Sequence, residues 1–138
     1  MNVGSVGTLV DSNVLLDIFM QDEEWLDWSA AMLSDAGETG PLYINPIIYA
    51  EVSAGFNRIE ELDEALPHEH YRRAPLPWAA GFLAGHAFIR YRRAGGVRRS
   101  PMPDFYIGAH AAIAGFTLLT RDARRYRTYF PGLRIVSP

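Results

Sequence analysis

Of the sixteen acidic residues in this 138-residue chain, four have neighbours that set them apart: Asp11, Glu51, Asp104 and Asp122. Thr8-Leu9-Val10 runs straight into Asp11, and the apolar stretch Phe116 to Thr120 comes just before Asp122. Both stretches read as buried strands, so both acids stand at strand carboxyl ends. In a parallel sheet those ends share one edge, where open α/β folds keep their ligand crevice. Glu51 is out of pattern for a helix acid. Ile47, Ile48 and Gly55 lie at i−4, i−3 and i+4 from it, which puts the carboxylate on the inward face. Glu60, Glu61 and Glu64 have the spread of an ordinary solvated helix. Asp104 falls in the first turn of a helix that carries Gly108, Ala111 and Ala112 on the same side, so it is expected to turn toward the sheet.

Each acid has an ordinary reading when taken alone. Asp11 could serve a turn, Asp104 and Asp122 could cap helices, and Glu51 could pair with an arginine. Together they suggest more. Four carboxylates in one crevice repel one another and shift each other's ionisation, and a divalent cation relieves that repulsion. A hard oxygen donor set without cysteine or a histidine pair suits Mg²⁺, with Mn²⁺ as the alternative, over zinc.

The elements that must position these acids follow from punctuation and periodicity. A strand from Thr8 to Val10 leads to a short helix over about Val14 to Met20. Asp22-Glu23-Glu24 opens a second helix, its acids complementing the helix dipole. On it Trp25, Trp28 and Met32 form one apolar stripe for the core or a subunit contact. Gly37 to Gly40 and Pro41 end it. Leu42 to Ile44 is a second strand. Asn45 then caps a helix with Pro46 at its first position, running from Ile47 to about Asn57. An acidic helix covers Ile59 to Leu66. Pro75-Leu76-Pro77 starts a longer one, Trp78 to Arg93, whose Gly81, Ala84, Gly85 and Ala87 permit close helix contact. Gly95 to Ser100 is a basic loop. Pro101-Met102-Pro103-Asp104 opens a helix to about Ala114, with Gly115 as its C′ residue. A strand over Phe116 to Thr120, a short basic helix or turn over Arg121 to Tyr129, and a strand over Leu133 to Val136 complete the chain. Strands alternating with helices imply an α/β fold: one domain over residues 1–138, with a central parallel sheet of about four to five strands and helices on both faces.

Composition narrows the chemistry. The absence of cysteine excludes disulfides, thiolate catalysis and Cys-ligated zinc. All thirteen basic residues are arginine, which removes the phosphate-binding and Schiff-base lysines of other enzyme classes. Charge is unevenly placed. Residues 1–70 hold fourteen acids against one arginine, and residues 71–138 hold twelve arginines against two acids. The basic half reads as a polyanion-binding surface or as arginines that simply solvate helices. Met1 to Gly7 lacks a basic, apolar leader pattern, and no apolar run reaches bilayer length, so no signal peptide, no membrane partner and a cytoplasmic location are expected.

In chain order, Val10-Asp11-Ser12-Asn13-Val14-Leu15-Leu16, Tyr49-Ala50-Glu51-Val52, Pro103-Asp104-Phe105-Tyr106-Ile107-Gly108-Ala109-His110-Ala111 and Leu119-Thr120-Arg121-Asp122 resemble the acidic motifs of PIN-domain ribonucleases. The resemblance is closest to the VapC-type toxins of bacterial toxin–antitoxin pairs. It implies a PIN-like domain and a Mg²⁺-dependent endoribonuclease that hydrolyses RNA phosphodiesters. Asp11 and Asp104 would bind the metal directly, while Glu51 and Asp122 complete the site, often through water. Ser12, where threonine is also common, and Thr120 would supply hydroxyls that orient a carboxylate or water. A homodimer and a cognate antitoxin that blocks the acidic pocket are implied as well. The RNA strand is expected across Arg98, Arg99, Arg121, Arg124, Arg125 and Arg127, which neutralise phosphates without reading sequence. Tyr126 and Tyr129 could stack on bases or pack, and His110 packs or faces solvent.

Three other classes compete. Phosphoryl transfer to aspartate is disfavoured by the missing lysine and by Asn13, where haloacid-type phosphatases want a second aspartate. A structure-specific DNA nuclease would use the same acids. A non-catalytic nucleic-acid-binding domain would keep them as structural groups only.

Overall fold

The computed structural model describes residues 6–138. Residues 1–5, on which much of the expectation of no leader rests, lie outside the described residues. The middle of the sheet is β1 (Thr8–Val10), buried along its whole length. A strand buried on both faces is mostly apolar, and Leu9 and Val10 are fully buried. β1 pairs in parallel with β2 (Leu42–Ile44) on one side and with β4 (Thr117–Leu119) on the other. Among the described residues the sheet has five strands in the order β3-β2-β1-β4-β5, with β3 (Tyr71–Arg73) and β5 (Ile135–Val136) at its edges. All four pairings are parallel.

This order has a mechanical consequence. The chain builds from β1 through β2 to β3, then crosses back to lay β4 and β5 on the other flank. The direction reverses between β1 and β4, and at such a switch point a crevice opens beyond the strand carboxyl ends.

Seven helices fill the connections among the described residues: α1 (Ser12–Phe19), α2 (Leu26–Thr39), α3 (Pro46–Ser53), α4 (Ile59–Ala65), α5 (Trp78–Arg93), α6 (Pro103–Ala114) and α7 (Arg124–Tyr129). Right-handed crossovers to opposite flanks of a parallel sheet put helices on both of its faces. Among the described residues no helix is long and apolar enough to cross a membrane.

α5 packs closely on α6, through two of the four residues expected, Ala84 and Ala87, and not through the glycines. Ala80, Ala84 and Ala87 are its buried stripe, whereas a Cβ added at Gly81 or Gly85 would meet only open space. Gly115 ends α6 in the left-handed region at φ 75°, as its place after the helix required.

Other departures are local. α1 starts two residues earlier than the sequence suggested, because Asp11 itself caps it. α2 starts later, since Asp22 turns back to accept from the Glu24 and Trp25 N–H groups. α3 stops at Ser53, short of Asn57. Strand β3 was not foreseen at all. Its two arginines are exposed, and an edge strand can be polar without losing its ladder. On α6, Ala111 is buried as expected but Ala112 faces solvent.

Candidate active site

Asp11 leaves β1 at the switch point and caps α1. Its Oδ1 accepts from the Ser12 N–H at 2.8 Å. Its Oδ2 accepts from the Thr120 hydroxyl at 2.8 Å and from the Tyr126 hydroxyl at 2.9 Å. Three of a carboxylate's roughly four acceptor sites are thereby filled, and none of the three donors is charged. Thr120 reaches Asp11 because β1 and β4 run in register: Val10 faces Leu119, and the Asp11 N–H extends the ladder to the Leu119 carbonyl at 2.9 Å.

Glu51 approaches from α3, which Asn45 caps by accepting from the Ile48 N–H at 2.9 Å. It is half-buried, and its Oε1 accepts from the Ser12 hydroxyl at 2.9 Å. Asp104, in the first turn of α6, has Oδ1 at 3.3 Å from the Tyr126 hydroxyl and Oδ2 at 3.0 Å from Arg125. The expected turn toward the sheet is therefore present, with a tyrosine between. Asp122 is further out. It pairs with Arg124 at 3.5 Å, its side chain is 60% exposed, and it shares with Asp104 a cleft of about 370 Å³. Asp11, Glu51 and Asp104 form one linked group, and Asp122 lies at its rim.

The electrostatics follow this arrangement. Burial pushes the Asp11 carboxyl above its ordinary range and the charge of Asp104 adds to it, against the hydrogen bonds from Thr120 and Tyr126. Burial likewise raises Glu51, and the charges of Asp11 and Asp104 reinforce the shift against the Ser12 hydrogen bond. Asp122 goes the other way. Burial opposes its ionisation, but Arg124, through side chain and backbone, and the charge of Arg125 outweigh that and hold the carboxyl low. The Tyr126 phenol is driven well above its ordinary value by burial and then by the charges of Asp11 and Asp104, so it remains a donor at neutral pH.

A pocket whose innermost acid is buried, unpaired by arginine and repelled by its neighbours favours a bound cation. Among the described residues no three acid or histidine side chains close on one point as a finished cage. Mg²⁺ does not ask for one: it takes one or two carboxylates and keeps several waters. Asp11 and Asp104, with Glu51 behind Ser12, could hold a divalent cation in that way.

The six arginines expected along the nucleic acid separate. Arg98 and Arg99 are exposed on the loop between α5 and α6, and among the described residues neither pairs with an acid. Arg124 and Arg125 line the cleft beside Asp122 and Asp104. Arg127 donates to the Ser137 hydroxyl at 3.1 Å. Arg121 is committed elsewhere. Its guanidinium grips Asp17 through two bonds of 2.8 and 2.9 Å and lies 5.4 Å over the Trp25 ring. Asp17, 2% exposed, also accepts from the Ser29 hydroxyl at 2.7 Å.

Tyr126 is buried and cannot stack on a base; Tyr129 packs edge-on to Phe105 at 5.0 Å. His110 packs as well, its Nδ1 3.0 Å from the Asn45 amide, with burial lowering its pKa. Two contributors were missed from sequence. Asn13 spans the crevice, donating to the Thr120 hydroxyl at 3.2 Å and accepting from the Arg121 N–H at 3.1 Å. Tyr126 reaches both inner aspartates. A signal for it existed: Ala123, Tyr126 and Phe130 at i, i+3 and i+7 are one inward stripe, and a buried phenol needs a partner.

The PIN domain family profile matches residues 8–131. Among solved structures, this fold is similar to VapBC2 from Rickettsia felis, solved bound to a DNA fragment from its promoter. The two are 16% identical with a TM-score of 0.71, over 94% of this chain and 97% of that one. VapBC-1 from nontypeable Haemophilus influenzae is similar at 18% identity and TM-score 0.70, over 94% and 96%. A toxin–antitoxin complex from Klebsiella pneumoniae follows at 20% identity and TM-score 0.68, over 94% and 96%. At these identities the likeness concerns the fold. No curated protein matches the sequence.

Proposed function

This chain belongs to the PIN domain family, and from that premise we propose that it is a metal-dependent endoribonuclease, the toxin of a toxin–antitoxin pair. The observation that carries the reading is Asp11: a buried carboxylate with no arginine partner, linked through Ser12 to Glu51 and through Tyr126 to Asp104. Mg²⁺, or Mn²⁺ in its place, would lower the pKa of a bound water and polarise the phosphoryl group.

The chain's own residues have separate tasks. Asp11 and Asp104 hold the cation. Glu51, its carboxyl pushed upward by burial and by the two aspartates, accepts from Ser12 and would complete the site through water. Thr120 fixes Asp11 from the side of β4. Asp122 at the rim keeps the Arg124 side chain beside the cleft, where a phosphate can replace the carboxylate as its partner. Arg98, Arg99, Arg125 and Arg127 extend the same positive surface along an RNA strand. Arg121 contributes by holding the loop that carries Thr120.

A cognate antitoxin protein occupies this acidic pocket in the resting complex, and the toxin acts in the cytoplasm as a homodimer. The exposed apolar face of α5, with Trp78, Phe82 and Ile89 at 96%, 71% and 41% exposure, suits the contact with a second copy.

Purified protein incubated with defined tRNA and rRNA fragments should cut them with Mg²⁺ or Mn²⁺ and not with chelator. Asp11→Asn or Asp104→Asn should reduce cutting by at least about 10²-fold, with the circular dichroism spectrum unchanged. Cleavage by either variant at the wild-type rate would remove both the metal and the assignment. Cleavage of DNA in preference to RNA would leave the pocket and change the substrate. Chelator-insensitive RNA binding without cleavage would leave a binding domain only.

A further inference from the structure

We propose that Tyr126 is a positioning residue for the carboxylate pair, its hydroxyl setting Asp11 and Asp104 at the spacing where one divalent cation serves both. The inference rests on the reading of those two aspartates as the metal ligands. The hydroxyl lies 2.9 Å from Asp11 Oδ2 and 3.3 Å from Asp104 Oδ1. It carries a single proton, which the shorter contact claims. Asp104 is thus held close to a second acid without a full hydrogen bond of its own from this group. Two carboxylates kept at that separation repel, and a cation removes the repulsion.

The position of the hydroxyl is rigid. The Tyr126 ring is 1% exposed and packs where α7 meets α6. A Cβ added at Gly108 would come to 2.6 Å from the Phe130 ring and 3.0 Å from the Tyr126 ring, so the helices meet with no slack. Asp11 arrives from β1, Asp104 from α6 and the phenol from α7, and one oxygen ties the three elements together. A phenylalanine would fill the same volume and lack only that oxygen.

Tyr126→Phe is therefore the test, with Mn²⁺ as the probe. Titration calorimetry of the wild-type protein should give measurable Mn²⁺ binding, and the variant should bind about 10-fold or more weakly, the loss expected when an outer partner of a ligand is removed. The Mn²⁺ concentration for half-maximal RNA cleavage should rise by the same factor while KM for RNA stays constant. Saturating Mn²⁺ should restore cleavage, which it could not do for a disordered fold. Unchanged or tighter Mn²⁺ binding by a folded Tyr126→Phe protein would overturn the proposal and leave the nuclease reading standing. Absence of Mn²⁺ binding by the wild-type protein would overturn both. Paramagnetic broadening of the Tyr126 ring resonances by Mn²⁺ in the wild-type protein provides a check independent of how the variant folds. Broadening supports the placement, and its absence overturns it.

Discussion

Asp11 shows the conflict between a site's stability and its use. Its burial and the nearby charge of Asp104 raise its folded-state pKa above the ordinary carboxylate value. The native state then binds this proton more tightly than the unfolded state does, so this group's contribution falls as pH rises through the carboxylate range up to the raised pKa. Above that raised pKa the cation-free protein carries the cost in full. Asp11→Asn should therefore raise Tm at pH 7, by roughly 4 °C for each kcal/mol relieved, because the Thr120 and Tyr126 hydroxyls can turn to accept from the new amide. The gain should shrink on acidification toward pH 4. Mg²⁺ should raise the Tm of the wild-type protein and leave the variant unmoved, since only a state that binds the ion is stabilised. Differential scanning calorimetry at several pH values, with and without the ion, measures both, and a variant less stable than wild type at pH 7 would contradict the account. The acids were legible in sequence because strand ends and an out-of-place helix acid are local patterns. The stripe of Ala123, Tyr126 and Phe130 marks the tyrosine as buried, but its contact with Asp11 spans 115 positions and no local pattern encodes that partner.

At the level of elements, Arg121 is a structural strut between α1, α2 and the loop after β4. Its pair with Asp17 has one partner 2% exposed and the other 31%, whereas the Arg124–Asp122 pair is 92% and 60% exposed. Removing the guanidinium from a buried carboxylate leaves a charge with little compensation, at about 3 kcal/mol. Removing it from an exposed pair costs roughly 0–1 kcal/mol. Arg121→Ala should thus lower the urea midpoint strongly while Arg124→Ala barely moves it, and Asp17→Asn added to Arg121→Ala should recover part of the loss. Equal effects of the two single variants would contradict the assignment. Sequence placed Arg121 among six arginines of one surface because spacing cannot distinguish a guanidinium that turns inward. The same limit explains β3: Tyr71-Arg72-Arg73 has no strand pattern, and only pairing with β2 makes it one. Elements bounded by proline, asparagine caps or glycine, such as β2, α5 and α6, were legible nearly to the residue.

Across the whole molecule, the uneven charge of the chain becomes a spatial division. The acidic first half supplies β1, β2 and the helices α1 to α4, and the basic second half supplies α5 to α7 with β4 and β5; β3, the first element of the basic half, is the exception, at the edge beyond β2. Because β1 sits between β2 and β4, the seam between the halves runs through the crevice that holds Asp11. On the proposed function, a polyanion bound on the basic side would be led to the edge of an acidic pocket that should admit phosphate only when a cation is present. Binding and cutting should then separate experimentally. In Asp11→Asn protein, which is expected to hold RNA without cleaving it, affinity measured by fluorescence anisotropy should fall steeply with salt. Each phosphate contact on a single strand contributes about 0.7 to the slope of log K against log salt concentration. Arg98 and Arg99 are exposed and, among the described residues, unpaired with acids, so replacing both with alanine should reduce the slope by about 1.4. Arg121→Gln paired with Asp17→Asn should leave it unchanged, because that guanidinium already faces an internal partner. A slope that drops with Arg121 and not with Arg98 and Arg99 would move the RNA path to the other side of the crevice.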